Sequence, residues 1–167
     1  MISDISQTVL SLLAYCKRSN WAGYDPYDAL NSRLFNATPF RDSKLCRLVL
    51  TQGLKRLPLN IRPLLLIDRE QNPKALALFL AAGLRLSRLG IPGTETIAGE
   101  MITRLEALRS RGTSYWCWGY SFPWQTRTVL VPRGAPNLVC TVFVADALLD
   151  AYEASREARL LDMPDSA

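Results

Sequence analysis

Two stretches of this chain are apolar almost all the way round. Residues 72–89 contain ALALFLAAGLRL, and residues 139–152 read VCTVFVADALLDAY. A helix without a polar face has to be buried on every side, so both segments require covering layers. Three further segments repeat apolar residues at the helical period on one face only. They are 4–19 (Ile5, Val9, Leu12, Leu13, Cys16), 42–57 (Cys46, Val49, Leu50, Gly53, Leu54, Leu57) and 94–111 (Ile97, Met101, Leu105, Leu108). A short helix over 26–35 completes the order outer, inner, outer, inner, outer, inner.

The boundaries carry their own chemistry. Asn72 is a good N-cap for the first all-apolar helix, Pro73 fits its first position, and Gly90 and Gly112 suit helix stops. No stretch sustains the alternation of a strand, and LLLI at 64–67 is readable as strand or helix. The expected fold is therefore all-α, with half-exposed and buried helices in two concentric layers. The 167 residues form one helical domain, with 157–167 expected to fray.

Links after inner helices are short, whereas those entering inner helices are long: 20–25, 58–71 and 112–138. If neighbouring helices run antiparallel, the three long loops share one rim. All four tryptophans lie in the first and third of them. Long loops on a rigid scaffold are the usual home of binding groups.

Composition removes whole classes of chemistry. The chain has no histidine, which excludes Ser-His-Asp and Cys-His nucleophile systems and the common histidine metal sites within it. Cys16, Cys46, Cys117 and Cys140 are scattered without a CxxC pair and read as reduced, mostly buried thiols. No metal and no cofactor are expected. The net charge of +5 leans on arginine, which suits anionic partners, but the basic residues never form a run, so nucleic acid is not expected. The longest apolar stretch, 75–84, is about half of what a bilayer-spanning helix needs. The N-terminus lacks the pattern of a secretory signal, so the default compartment is cytoplasmic.

Two constellations stand out. In NWAGYDPYD (20–28), Asp25 before Pro26 suits an N-cap, and Asp28 can receive backbone donors of the first turn. That accounts for both carboxylates structurally, but not for Trp21, Tyr24 and Tyr27, whose flat faces and polar edges suit sugar rings or tight loop packing. In YWCWGYSFPWQTR (115–127), Trp116, Trp118, Tyr120, Phe122 and Trp124 fall at every second position, which in extended backbone turns them to one face. They form either a satellite core or a stacking wall, with Gln125 and Arg127 as donors. Arg62, in NIRP (60–63), ties loops together or grips a substrate carboxylate. Asp146, on the last inner helix, needs a partner such as Arg127 or Arg62, whereas Glu153 suits a solvated end. Paired carboxylates are the machinery of glycoside cleavage, and Asp25 and Asp28 are the candidate catalytic pair.

Taken together, WAGYDPYDALNS (21–32), NIRPLLLI (60–67), NPKALALFL (72–80), CWGYSFPWQTR (117–127) and TVFVADALLDAYE (141–153) resemble the six-hairpin glycosidase-like proteins, (α/α)6 toroids found with bacterial surface-polysaccharide biosynthesis genes. The resemblance implies a toroid whose rim cleft binds carbohydrate. It assigns no reaction, because such rings host hydrolases, lyases, epimerases and non-catalytic members. The alternation supplies three hairpins where a ring needs six, so the chain corresponds to half a ring, closed by a missing C-terminal half or by a second copy. The expected partner is a polysaccharide or oligosaccharide, held by Arg62 or Arg127 if acidic. Two other readings remain: a non-catalytic helical-repeat module that binds protein, and an inactive fragment of a longer enzyme.

Overall fold

A computed structural model describes residues 2–165. The described residues are 56% helical with 4% in strands, which makes the chain all-α. Its helices are α1 (Ile2–Arg18), α2 (Arg33–Asn36), α3 (Lys44–Arg56), α4 (Pro73–Arg88), α5 (Ile97–Ala107), α6 (Leu138–Ser155) and α7 (Arg159–Asp165). A two-residue antiparallel hairpin, β1 (Trp124–Gln125) with β2 (Leu130–Val131), interrupts the long link before α6. Among the described residues no helix is long and apolar enough to cross a membrane.

The main core is built on α4. It packs against α5 and α6, and α7 closes on α6. Leu76, Leu80, Met101, Leu105, Val144 and Leu148 meet there with Trp118. Gly83 lets α4 and α5 approach closely, since a Cβ on it would come within 2.7 Å of Ile97 Cγ2. A smaller cluster forms where Ala29, Leu54 and Ile67 pack together with Tyr24, Leu50, Ile61 and Leu65 against it.

Capping matches the sequence signals for α4, whereas α5 ends at Ala107, short of the expected stop at Gly112, and α6 starts at a cap, Asn137, that the sequence did not single out. Asn72 Oδ1 accepts from Lys74 N at 3.0 Å, and Asn137 Oδ1 does the same for Cys140 N at 3.0 Å. Gly90 and Gly112 both adopt left-handed backbone, φ +68° and +81°, which glycine takes without strain.

Several expectations are corrected. The helix over 26–35 breaks into a 3-10 turn, Asp28–Asn31, and the one-turn α2. Ser32 causes the break: its extended ψ of 114° interrupts the helix, its Oγ accepts from Phe35 N to start the next turn, and it donates to Leu65 O at 2.7 Å. The first inner helix is thus absent. LLLI (64–67) is neither strand nor helix but a turn, with Leu66 at φ +53° and only Ile67 buried.

Nor are the two all-apolar helices buried on every side. Leu78 of α4 and Leu138, Val142 and Leu149 of α6 are exposed, Leu138 by 78%. α1 is also barer than its stripe suggests. It is anchored near its C-terminal end through Leu13 and Cys16, while Ile5 and Leu12 stay exposed. Residues 157–167 do not simply fray, because α7 buries Leu160 and Met163 against the main core; residues 166–167 lie outside the described residues.

Candidate functional site

The three long loops meet on one side of the molecule. Gly23 and Glu70 exchange backbone hydrogen bonds of 3.0 and 2.9 Å, joining the first loop to the second. Arg133 of the third loop pairs with Glu70 through its two terminal guanidinium nitrogens, Nη1 at 2.7 Å. Asn31 Nδ2 donates to Ser121 O at 3.1 Å. Between them lies a cleft of about 810 Å³, within the usual size of small-molecule sites. It borders both apolar clusters, taking Trp21 and Phe79 from one and Tyr24 from the other.

NWAGYDPYD forms one wall of that cleft. Asn20 and Trp21 both adopt left-handed backbone, φ +52° and +56°, which is costly for a bulky side chain. The Trp21 ring holds the turn in place: it is buried, packs edge-on against Phe79 at 4.9 Å, and donates from Nε1 to Glu100 Oε1 at 2.7 Å. Asp25 is not a helix N-cap, because the 3-10 turn begins at Asp28 with Tyr27 before it and no capping side chain; the two carboxylates instead bond the backbone of the turn that precedes it. Asp25 Oδ1 accepts from Tyr27 N at 2.9 Å, and Asp28 Oδ2 accepts from Asp25 N at 3.1 Å.

The two carboxylates have different environments. Asp28 is buried and meets Arg62 Nε at 2.8 and 3.1 Å, while Arg62 Nη2 donates to Asp25 O at 3.0 Å. Burial raises the Asp28 carboxyl above the ordinary carboxylate range despite the opposing pull of Arg62. Arg62 is therefore a loop tie and does not border the cleft. Asp25 is half-buried, and among the described residues its carboxylate has no cationic partner; its Oδ2 only accepts a long 3.5 Å bond from Asn72 Nδ2.

The aromatic run of the third loop divides between core and cleft. Trp118 is fully buried, donating from Nε1 to Leu105 O at 2.7 Å, so it belongs to the core and not to a stacking wall. Trp116 tilts against Trp118 under the Arg109 guanidinium. Tyr120 stacks on buried Phe122 at 5.3 Å, and these two and Trp124 line the cleft. Burial raises the Tyr120 hydroxyl, with smaller contributions from Cys140 and Asp25. Tyr24 carries Arg62 and Arg69 over its ring, and exposed Tyr27 carries Lys55.

Gln125 and Arg127 stand apart from the main cleft, at a second recess beyond Trp124. Asp146 is exposed on α6, so it needs no buried partner, and Glu153 is exposed as expected. All four cysteines are free, with Cys16, Cys117 and Cys140 buried and Cys46 half-buried. Among the described residues no group of three or more His, Cys, Asp and Glu side chains is placed to hold a metal ion.

Sequence reasoning missed the polar floor of the cleft. Asn31, Asn72 and Asn137 all line it. Asn31 is engaged within the fold through Nδ2 and Asn137 through Oδ1, while Asn72 uses Oδ1 as a cap and reaches Asp25 through Nδ2 by the long 3.5 Å bond. Asn72 was legible as a cap; that the starts of α4 and α6 both reach one cleft was not, because it depends on how those helices pack. The lining also includes Asp68 and Glu70, which are paired with Arg33 and Arg133. Comparison with protein-family models, curated proteins and solved structures finds no match to this chain.

Proposed function

We propose that the cleft is a carbohydrate site, and that the chain is a carbohydrate-binding or carbohydrate-active protein of the half-toroid kind its sequence resembles. The observation that carries this reading is the pairing of aromatic faces with amide and carboxylate edges in one cleft. Tyr24, Tyr120 and Trp124 supply the faces, with buried Phe122 backing Tyr120, and Asn31, Asn72, Asn137 and Asp25 the edges. A pyranose has the matching anatomy: apolar C–H faces that pack on rings, and equatorial hydroxyls that bond to planar amides and carboxylates.

The charge of the lining favours an uncharged ring over an acidic one. Asp28, Asp68 and Glu70 are neutralised by Arg62, Arg33 and Arg133, which leaves Asp25 and Lys74 as the unpaired charges of opposite sign. Neither Arg62 nor Arg127 is available there to grip a uronate. If the site is catalytic, Asp25 is the carboxylate free to move a proton, while Asp28 holds the loop through Arg62. Glycoside cleavage by a carboxylate pair would need a second free partner, so binding is the better-supported activity.

The test is a titration of the purified chain with neutral gluco- and galacto-oligosaccharides, followed by tryptophan emission. A saturable change that is lost in Trp124→Phe and weakened in Asp25→Asn is expected. A flat response from a folded sample across the neutral and acidic series would reject the reading. A second reading, a module that binds protein, is favoured by the bare apolar rows on α1 and α6. In the ring reading those rows are flanks that a second copy covers.

A further inference from the structure

The recess on the far side of Trp124 differs in character from the main cleft. It measures about 730 Å³ and is lined by Lys44, Leu48, Trp124, Gln125, Thr126 and Arg127, with no carboxylate among them. Arg127 is exposed, and among the described residues its guanidinium has no hydrogen bond or ion pair. Its backbone carbonyl accepts from Lys44 Nζ, which holds the Lys44 ammonium at the Arg127 backbone, and both residues line the recess.

The surrounding loop is tightly determined. Gln125 Oε1 accepts from Arg47 Nε at 2.8 Å, and Gln125 Nε2 donates to Thr126 O and Val129 O at 2.9 and 3.1 Å. Thr126 Oγ1 accepts from Thr128 N and Val129 N, closing the β1–β2 turn. Arg47 is outside the lining and serves to hold Gln125, with its Nη1 donating to Arg41 O at 2.6 Å. Trp124 borders both spaces and forms the partition between them.

From this we infer that the recess is a subsite for an anionic substituent, a carboxylate, sulfate or phosphate, on the sugar residue next to the one in the main cleft. The inference rests on the carbohydrate reading of that cleft. Two cations without a carboxylate in the same lining attract such a group, and a guanidinium and an ammonium offer the charge-assisted donors that hold it. The acidic selectivity that arginine richness suggests is thereby placed at Arg127 and Lys44, one residue along the ligand from the uncharged ring. A glycan carrying acidic groups at intervals satisfies both spaces at once.

The experiment uses the full chain labelled with ¹⁵N, following the Trp124 indole and Gln125 side-chain amide signals at constant ionic strength. The probes are inorganic sulfate, glucuronate, glucose and a glucuronate-containing oligosaccharide. Sulfate and glucuronate should shift both signals saturably, and glucose at the same concentration should not. Arg127→Gln should weaken glucuronate about tenfold, the loss of one charge-assisted bond, and Lys44→Ser combined with Arg127→Gln should abolish the shift. The oligosaccharide should bind more tightly than glucuronate and move the Trp21 indole as well.

Absence of a saturable shift with either anion, or equal shifts in Arg127→Gln, would overturn the inference. Sulfate binding without glucuronate would make the recess a site for a free inorganic ion and overturn it equally. Anion shifts confined to Trp124 and Gln125, with no oligosaccharide moving Trp21, would keep the anion site and reject the sugar cleft, so the two failures are distinguishable.

Discussion

Arg62 joins the second loop to the first, bonding Asp28 and the carbonyl of Asp25 from a largely shielded position, its side chain being 13% exposed. Removing one partner of a buried pair leaves the other charge uncompensated, so Arg62→Met should destabilise the chain by about 3–5 kcal/mol. Adding Asp28→Asn should restore part of that loss, which chemical denaturation of the single and double variants would reveal. Because burial raises the Asp28 carboxyl in the folded state, the folded chain holds this proton to higher pH than the unfolded chain does. Its contribution is therefore fully present below the ordinary carboxylate value and is lost as pH rises through the raised one. The stability of the parent relative to Asp28→Asn should fall across that window and level off above it. The cysteines give a second check at this scale. Burial pushes the Cys140 thiol up to about 11, so it should resist alkylation at pH 8, and half-buried Cys46 should be the first modified, as peptide mass mapping would show. Free, mostly buried thiols were legible from their spacing and the absence of histidine; that Asp25 and Asp28 bond nearby backbone was legible too, but not that the helical turn starts only at Asp28. The fates of Arg62 and Trp118 were not: each is as polar or as aromatic in sequence as a ligand-binding residue, and only its partners, Asp28 and Leu105 O, assign it to the scaffold.

Among the elements, α4 was the most legible: it starts at the Asn72 cap and stops just before left-handed Gly90, because N-cap bonds and left-handed stops are local chemistry. α5 has no side-chain cap and ends at Ala107, short of Gly112, and α6 ends at left-handed Arg156, so their bounds were less legible. The segment 26–35 was misread because its apolar spacing is compatible with a helix, and the bond from Ser32 to Leu65 O that breaks it comes from a residue 33 positions away. The aromatic run was half legible. Its period of two correctly pairs Trp116 with Trp118 and Tyr120 with Phe122, yet the first pair packs inward and the second borders the cleft. Gly119, between the pairs, lies against the end of the same loop, and a Cβ there would sit 2.0 Å from Ala135 O and 2.7 Å from Gly134 C. Backbone cannot yield as a side chain tip does, so Gly119→Ala should cost at least about 1–3 kcal/mol. The same change should reduce ligand-induced emission by displacing Tyr120 and Trp124, measurable by denaturant titration beside ligand titration.

For the molecule as a whole, the sequence places aromatic loops together, and the structure gathers them around one cleft between a large core and a small one. What it could not show is how apolar helices are covered. α6 buries Cys140, Val144 and Leu148 but presents Leu138, Val142 and Leu149 outward, and an apolar row of that kind favours association. The proposed ring closure by a second copy makes the sedimentation-derived mass rise with concentration, and Val142→Asp should return it to that of one chain without altering the far-ultraviolet circular dichroism. The central claim concerns the cleft and is tested most directly by probing an array of neutral and acidic bacterial glycans with the parent chain and with a Tyr24→Ala, Trp124→Ala variant of matched helicity. The account predicts retention on a limited set of glycans with accessible uncharged rings, and its loss in the variant. Retention on none, or equal retention by both chains, would contradict it.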